Sequence, residues 1–252
     1  MRIKITIAYD GRAFAGSQSQ PCGSTVQDHL ERAIEATAKM PVRLHMAGRT
    51  DAGVHASAQV AHFDAPDHLT MNPYNWLPAL NAKLPPTLRV MDCEEVSNDF
   101  HARFSAIGKT YEYRICTLPV LPPLLAGLAW HIPKLFDVDV LRDAMRCYEG
   151  RHNFVCFSAV RGNETPQMDY HRTILEASVS TRDDGYRLTF TGEGFLYRMV
   201  RLMTGAAVMV AQGKMARQQL VDYINPGDVP YSVTCPHCAP ADGLTLRQVL
   251  YA

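Results

Sequence analysis

The segment Gly48–His55 concentrates side chains that can carry out nucleophilic or acid–base chemistry. Its sequence, Gly-Arg-Thr-Asp-Ala-Gly-Val-His, places the carboxylate of Asp51 two residues after the cation of Arg49 and between two glycines, with His55 at the end. A nearby cation keeps a carboxylate ionised, which suits a nucleophile or a base and disfavours a general acid. The segment therefore predicts a functional loop in which Asp51 is the reactive group.

A plain turn is the alternative interpretation of this segment. Asp51 would then hydrogen-bond to its own backbone, as Asx residues do in turns, and composition alone favours that interpretation. A turn needs only one glycine and one Asx residue, however, whereas Arg49, Asp51 and His55 all belong to this short, backbone-permissive stretch. Several polar side chains on one short loop between strands are typical of a binding loop.

Regular elements are predicted on both sides of this loop. Val42 to Met46 and Gln59 to Phe63 have strand patterns, and Arg2 to Tyr9 alternates apolar and polar residues in the same way. Between the first two of these strands along the chain, a helix is predicted from Thr25 to about Lys39. Its predicted N-cap is Ser24, because the glutamine three residues later completes a capping box.

The rest of the chain also alternates between the strand period and the helix period. The other predicted strands are Leu88 to Val96, Thr110 to Thr117, Tyr170 to Ser180, Tyr186 to Gly192 and Leu244 to Leu250, and the other predicted helices are Tyr74 to Lys83, Val138 to Tyr148, Phe195 to Gln212 and Arg217 to Ile224. This alternation predicts an α+β fold with two halves, residues 1–104 and 105–252.

Composition excludes several classes of protein. The 252 residues include 25 Lys and Arg against 25 Asp and Glu, so the net charge is zero and a polycationic DNA-coating protein is excluded. A content of 47% hydrophobic and 20% charged residues is ordinary for a soluble globular protein. The longest apolar stretch, near Met203 to Ala211, is too short to span a bilayer, and no export signal is evident at the start, which predicts a cytoplasmic protein.

The neutral total conceals segregated charges. From Arg187 to Arg217 there are five basic residues and one acidic residue, a local balance of +4, whereas acids gather in residues 92–99 and 137–143. Of the 25 basic residues, 19 are Arg, whose planar guanidinium makes forked contacts to phosphate. Solvated surface is the simpler explanation, but the pattern leaves room for a nucleic-acid partner.

Cysteine and histidine spacing gives no metal site. The seven cysteines are an odd number and predict reduced thiols rather than a disulfide framework. Cys235 and Cys238 are separated by two residues, but no second pair with suitable spacing completes a zinc site. The ten histidines include no His-Glu-x-x-His pair, and the group His55, His62 and His68 lacks ligand periodicity, which disfavours a metal-dependent hydrolase.

Residues 48–56, Gly-Arg-Thr-Asp-Ala-Gly-Val-His-Ala, resemble the signature loop of the tRNA pseudouridine synthase A family. Further motifs resemble this family in the same order across nearly the whole chain: Tyr9-Asp10-Gly11 with Phe14, Gly16 and Gln18; Ser24-Thr25-Val26-Gln27; Asn81-Ala82-Lys83-Leu84-Pro85; Asp99 to Ala106; Tyr111-Glu112-Tyr113; Phe195 to Arg201; and Ala239 to Leu244. Any one of these could arise by chance, but the agreement of all of them in register identifies the chain as a member of the family.

The resemblance implies both a fold and an activity. The implied fold has two ferredoxin-like (RRM-like) α+β halves, with abutting, largely antiparallel sheets and a central cleft. The implied activity is the isomerisation of uridine to pseudouridine at positions 38, 39 and 40 in the anticodon arm of tRNA, without a cofactor or a metal. The resemblance also implies that the family acts as a homodimer, and that Asp51 is the catalytic residue.

Supporting roles follow from the same resemblance. Tyr111 matches the aromatic residue that stacks on the target uracil, and Arg201 matches the basic residue that pairs with the catalytic carboxylate. Arg49 and His55, on the loop of Asp51, are further substrate-binding candidates, with Arg49 suited to replacing the flipped nucleotide in the stack. Candidate phosphate contacts are Arg103, Lys109, Arg114 and Arg198, together with the basic residues of 187–217.

One position departs from the family pattern. The family's first loop commonly has a tryptophan where this chain has Ser17, so the packing of that loop or its contact with RNA is expected to differ. The alternative to an enzyme is a non-catalytic RNA-binding module on the same fold. Such a module would have no reason to keep Asp51, Tyr111 and Arg201 together.

Overall fold

The structure, a computed structural model, describes residues 1–69, 71–133, 136–160, 168–227, 229–230 and 233–252. The chain forms two compact units, one made of Met1–Ile107 with Thr245–Ala252 and the other made of Gly108–Leu244. The last strand of the chain thus returns to the first unit. Both units combine helices with mostly antiparallel strands, which confirms the predicted α+β class.

The first unit has one sheet and two helices. Its elements are β1 (Arg2–Tyr9), α1 (Val26–Ala38), β2 (His45–Met46), β3 (His55–Asp64), α2 (Pro73–Asn81), β4 (Leu88–Val96) and, from the end of the chain, β10 (Leu244–Tyr251). The strand order is β4-β1-β3-β10, with β2 also paired to β3. β1 is antiparallel to both of its neighbours, and β10 is parallel to β3.

β1 shows why the strand pattern was readable in the sequence. Ile3, Ile5 and Ile7 are fully buried, and the residues between them are half-buried. Successive side chains of a strand point to opposite faces, so this alternation gives β1 one core face. β1 and β4 have the predicted bounds, although the alternation in β4 is interrupted between Val90 and Asp92, where its pairing with β1 shifts register.

Helix α1 begins one residue later than predicted. The N-cap is Thr25, not Ser24, and the capping box pairs the Thr25 hydroxyl and backbone N–H with Asp28 rather than with Gln27. Thr25 is fully buried and Ser24 is exposed. The buried hydroxyl therefore caps the helix, and the predicted cap was wrong because the sequence offers two suitable residues in a row.

The second unit is also a sheet with helices. Its elements are β5 (Ala106–Cys116), β6 (Trp130–His131), α3 (Val138–Arg146), β7 (Gly150–Asn153), β8 (His171–Arg182), β9 (Gly185–Gly192), α4 (Met199–Ala211) and α5 (Arg217–Tyr223). The strand order is β5-β9-β8-β7, with β6 parallel to β5. Helix α3 contacts both β8 and α4, and α4 contacts α5.

Two predicted elements are shorter than expected. Only His45 and Met46 of the predicted strand 42–46 pair with β3. The predicted helix 195–212 begins only at Met199, because Arg198 adopts a left-handed conformation with φ of 58° that no right-handed helix contains. In addition, the helix predicted to end at Tyr148 ends at Arg146, and Gly150, with φ of 101°, starts the unpredicted strand β7.

The longest helices of the described residues, α1 and α4, have 13 residues each. A membrane span needs about 20. Accordingly, no helix within the described part of the chain has the length and apolar character needed to cross a bilayer.

Three histidines of the first unit form a cluster that the sequence did not indicate. His45 lies opposite His62 across the β2–β3 pair, and their rings are stacked with centroids 5.0 Å apart. The ring centroid of His101 lies 4.6 Å from that of His62. The Nδ1 atom of His62 accepts the backbone N–H of Ala102 at 3.1 Å. Neither His55 nor His68, the neighbours of His62 in sequence, belongs to this group.

Burial is the main cause that lowers the pKa of His62 to about 4, and the nearby His101, His45 and Arg2 lower it further, against a smaller opposing effect of Asp64. Between about pH 6.5 and pH 4 the unfolded chain therefore binds a proton that the folded chain excludes. It follows that the free energy of unfolding decreases as the pH falls through this window.

We predict that His62→Gln makes the dependence of stability on pH shallower between pH 6.5 and pH 4. The wild-type protein should lose up to about 3 kcal/mol more than the variant over this range, since one pKa unit corresponds to about 1.4 kcal/mol. Urea unfolding at several pH values measures the slope. His68→Gln, at an exposed histidine, should keep the wild-type slope, and an unchanged slope in His62→Gln would contradict the prediction.

Candidate active site

The loop that carries Asp51 lies in the first unit, between β2 and β3. Asp51 is half-buried, Arg49 is exposed, and His55 is buried as the first residue of β3. At the start of the loop, the side-chain amide of the buried Gln59 donates to the carbonyl oxygen of Gly48 at 3.0 Å. The loop therefore leaves the sheet at a point held by a side chain of β3.

Thr50 connects the loop to β1. Its Oγ1 atom lies 2.8 Å from the hydroxyl oxygen of Tyr9, the last residue of β1, and both side chains are buried. Burial raises the pKa of Tyr9 to about 12, so its hydroxyl remains a neutral hydrogen-bonding group. Since Asp51 follows Thr50 directly, the core strand positions the backbone beside the candidate catalytic carboxylate.

The other side of the loop is in backbone contact with Gly11. A Cβ atom at residue 11 would lie 2.2 Å from the carbonyl oxygen of Val54, a distance that side-chain carbons do not tolerate. The N–H of Gly53, which has φ of 82°, donates to the carbonyl oxygen of Gly11 at 3.3 Å. A glycine at residue 11 is thus required for the first loop, which lies between β1 and α1, to pack against the loop of Asp51.

His55 takes part in this contact rather than pointing to solvent. Its Nδ1 atom accepts the backbone N–H of Gly11 at 3.2 Å, and the same atom lies 3.3 Å from Oδ1 of Asp10. Asp10 is also paired with Arg12 at 2.5 Å, and this hydrogen bond lowers the pKa of the Asp10 carboxyl group.

Tyr111 lies in the second unit, on β5. It is 7% exposed, and its ring contacts Phe195 edge to face, with centroids 5.1 Å apart. Phe195 follows the turn at the end of β9, and β9 pairs with β5 in a register that places Tyr111 opposite Phe190. An aromatic neighbour at right angles fixes the plane of the Tyr111 ring.

Arg201, in the first turns of α4, is attached to the segment that precedes β10. Its Nε atom donates to the carbonyl oxygen of Ala239 at 2.8 Å, and its own carbonyl oxygen accepts the Ala239 N–H at 3.0 Å. This segment lies directly on α4, since a Cβ atom at Gly205 would be 2.2 Å from the carbonyl oxygen of His237. Two backbone contacts therefore orient the guanidinium group of Arg201.

The basic candidates differ in their surroundings. Arg198 is exposed, and its guanidinium lies 5.2 Å from the ring centroid of Tyr197. Lys109 is half-buried on β5, and Arg103 is exposed in the first unit, 5.8 Å from the ring centroid of Phe104.

Two other basic residues have acidic partners within the second unit. Arg114 forms an ion pair with Asp184, which Arg182 also approaches at 3.3 Å, and Arg187 lies 3.5 Å from Glu112. Of these residues, only Arg187 belongs to the stretch 187–217, so one of its five basic side chains has an acidic partner outside the stretch.

Several residues that hold the candidate site were not assigned that role from the sequence. Tyr9, Gln59 and Ala239 act through hydrogen bonds to residues 11 to 41 positions away. Tyr9 and Ala239 belong to motifs of the family resemblance, and Gln59 has a signal of its own as a polar residue within an apolar strand. Within the described ranges, no three His, Cys, Asp or Glu side chains are arranged to hold a metal ion.

A known protein family matches most of this chain. The family model described as tRNA pseudouridine synthase matches residues 5–105 and 144–252. These ranges contain Asp51, Arg49, His55 and Arg201, whereas Tyr111 lies in the unmatched interval.

The chain is similar to full-length relatives that are named tRNA pseudouridine synthase A. It is 50% identical to the one from Akkermansia muciniphila, covering 99% of this chain and 95% of that protein. It is 39% identical to the one from Geobacillus sp. (strain WCH70), covering 99% and 98%, and 41% identical to the one from Chromobacterium violaceum, covering 100% and 93%. With most of its length matched by the family model and by these relatives, the chain belongs to the tRNA pseudouridine synthase family.

Proposed function

We propose that this chain converts uridine to pseudouridine in the anticodon arm of tRNA, at positions 38, 39 and 40, with the carboxylate of Asp51 as the catalytic group. Family membership supports the reaction, an isomerisation. The observation that carries the assignment of Asp51 is its location on a loop that β1, β3 and the first loop hold from several sides.

The reaction rearranges one nucleotide without adding a group. The bond between N1 of uracil and C1′ of ribose breaks, the base turns, and C5 bonds to C1′, while the proton of C5 is lost and N1 gains a proton. Electrons and atoms balance without an external reactant, so the proposal includes no cofactor and no metal. One accurately held carboxylate near the ribose is sufficient, either as a nucleophile or as a base.

The geometry of the loop supports Asp51 in this role. Reacting groups must be held to within a fraction of an ångström, and a displacement of about 1 Å reduces rates by about a hundredfold. Asp51 is half-buried, and the loop around it is hydrogen-bonded to the buried residues Tyr9 and Gln59. In this proposal Arg49, exposed on the same loop, fills the place of the extruded nucleotide in the stack.

Tyr111 is the proposed stacking partner of the target uracil. Aromatic side chains hold unpaired bases by stacking, which is worth about 1–3 kcal/mol per base. The edge-to-face contact with Phe195 supports this role, because it fixes the Tyr111 ring before the base arrives. Arg201, oriented by Ala239, supplies a fixed positive charge to the reaction, and His55 contributes by joining the first loop to the loop of Asp51.

Phosphate contacts are proposed for Arg103, Lys109 and Arg198. Extruding a base from a stem costs a few kcal/mol, which contacts to the flanking backbone must offset. The exposure of Arg103 and Arg198 supports this role. Arg114 is a weaker candidate, because its guanidinium is paired with Asp184.

The proposal also includes a homodimer that acts in the cytoplasm and does not bind membranes. In this arrangement one subunit helps to position the tRNA that the other modifies. The mass of the chain is 28.1 kDa. Sedimentation equilibrium should give about twice this value, and a single species of one chain mass would argue against the homodimer.

We predict that Asp51→Asn and Asp51→Ala abolish pseudouridine formation while tRNA binding stays within about twofold of the wild type. Asparagine keeps the size of the side chain but removes the charge that the reaction needs. The assay maps pseudouridine in tRNA after incubation with the pure protein, with tRNA binding measured in parallel.

The same assay tests the alternative of a non-catalytic RNA-binding module. If the wild type binds tRNA but forms no pseudouridine, that alternative would replace the proposed activity. Substantial turnover by either Asp51 variant would instead remove Asp51 from its role and leave the activity standing.

Arg201→Ala should reduce kcat by at least about tenfold and change tRNA affinity by less than about threefold. The reason is that a positive charge at the reacting nucleotide acts on the chemical step, whereas a phosphate contact acts on binding. Single-turnover rates and filter binding separate the two quantities. Arg146→Ala, at an exposed position in α3, serves as the matched control, and an equal loss of rate and affinity in Arg201→Ala would mark a phosphate contact.

A further inference from the structure

Ser17 is a fully buried polar residue in the loop between β1 and α1. Its Oγ atom accepts the backbone N–H of Thr50 at 2.7 Å, and its own backbone N–H donates to the carbonyl oxygen of Thr50 at 3.1 Å. The hydroxyl oxygen also lies 3.4 Å from that carbonyl oxygen. One residue thus satisfies both backbone groups of the residue that precedes Asp51.

The backbone of Ser17 is in turn attached to the start of α1. The first N–H groups of a helix have no partner within the helix. Here the N–H of Val26 donates to the carbonyl oxygen of Gly16 at 3.1 Å, and the N–H of Gln27 donates to that of Ser17 at 2.9 Å. The segment of Ser17 therefore lies between the helix and the loop of Asp51 and is hydrogen-bonded to both.

Close approach of the two loops requires the conformation of Gly16. Its φ is +95°, and a Cβ atom there would lie 3.2 Å from the carbonyl oxygen of Thr50. Ser17 bonds to the backbone N–H and carbonyl oxygen of Thr50, and the Tyr9 hydroxyl bonds to its Oγ1 atom. Every polar group of Thr50 therefore has a buried hydrogen-bond partner. This leaves the backbone at Thr50 little freedom to move.

On the other side of Asp51 a tight turn holds the chain. The carbonyl oxygen of Asp51 accepts the N–H of Val54 at 3.1 Å. The backbone is consequently held before Asp51 by Ser17 and after it by this turn. The location from which the carboxylate projects depends on both.

We propose that Ser17 is a positioning residue for the carboxylate of Asp51, acting through its hydroxyl on the backbone N–H of Thr50. This inference rests on the proposed function of Asp51. Removing the hydroxyl leaves the buried N–H of Thr50 without its acceptor, and the loop shifts to satisfy it. Because the hydroxyl touches only the backbone of the loop, its loss changes the rate of the chemical step more than it changes tRNA binding.

The test compares Ser17→Ala with the wild type and with Ser24→Ala, the same substitution at an exposed serine of the same loop. We expect Ser17→Ala to lower the single-turnover rate on tRNA by about 10- to 100-fold with tRNA affinity within about twofold. Ser24→Ala should keep both values. A wild-type rate in Ser17→Ala, or a loss confined to affinity, would overturn the inference.

Ser17→Cys covers the case in which the alanine variant does not fold. The thiol fills nearly the same space but is a weak acceptor, so the fold is retained while the hydrogen bond is weakened. If Ser17→Ala folds, the rate of Ser17→Cys should lie between those of the wild type and Ser17→Ala. If Ser17→Ala does not fold, the rate of Ser17→Cys should be lower than that of the wild type by about threefold or more. A folded cysteine variant with the wild-type rate would also overturn the inference.

The two levels of the proposal fail in different ways. If neither the wild type nor Ser24→Ala forms pseudouridine in tRNA, the proposed function fails. If both are active and Asp51→Ala is inactive, but Ser17→Ala turns over at the wild-type rate, only the positioning role of Ser17 fails.

Discussion

The first unit depends on a contact between two backbones, that of residues 11–17 and that of residues 50–54. Glycine at 11 and 16 removes the side-chain carbons that would keep the two loops apart, and buried hydrogen bonds then join them. A buried backbone group without a hydrogen-bond partner would cost about 1–3 kcal/mol. Conformations of the loop that break one of these hydrogen bonds are therefore disfavoured. The result is that Asp51, the proposed catalytic residue, lies on a loop that is hydrogen-bonded to the elements around it.

In the second unit, a glycine again allows two backbone segments to come into contact. Gly205 allows the segment of His237 to contact the backbone of α4, and Ala239 then exchanges hydrogen bonds with Arg201. The Cys235–Cys238 segment, whose spacing does not complete a zinc site, precedes Ala239 and is held in place because Cys235 is buried and its N–H donates to the carbonyl oxygen of Cys156 at 2.7 Å. In both units, contacts between backbone atoms hold the segments that carry the proposed functional side chains Asp51 and Arg201.

The distribution of charge is also decided by contacts within the units. The sequence combines zero net charge with a local excess of basic residues over 187–217. Arg187 and Arg114 have acidic partners, whereas Arg198 and Arg103 are exposed. The count of basic residues along the sequence therefore does not by itself say which of them face solvent.

The sequence by itself determined the elements whose signal is local. Alternating apolar residues marked β1, and the agreement of several motifs in register along the chain indicated the family. Tertiary structure decided what depends on distant residues: burial selected Thr25 over Ser24 as the cap of α1, strand pairing brought His45 to His62, and the Ser17 hydroxyl met a backbone N–H 33 positions away. The physical reason is that periodicity and capping act over a few residues, whereas the partner of a buried polar group is chosen by the packing of the whole unit.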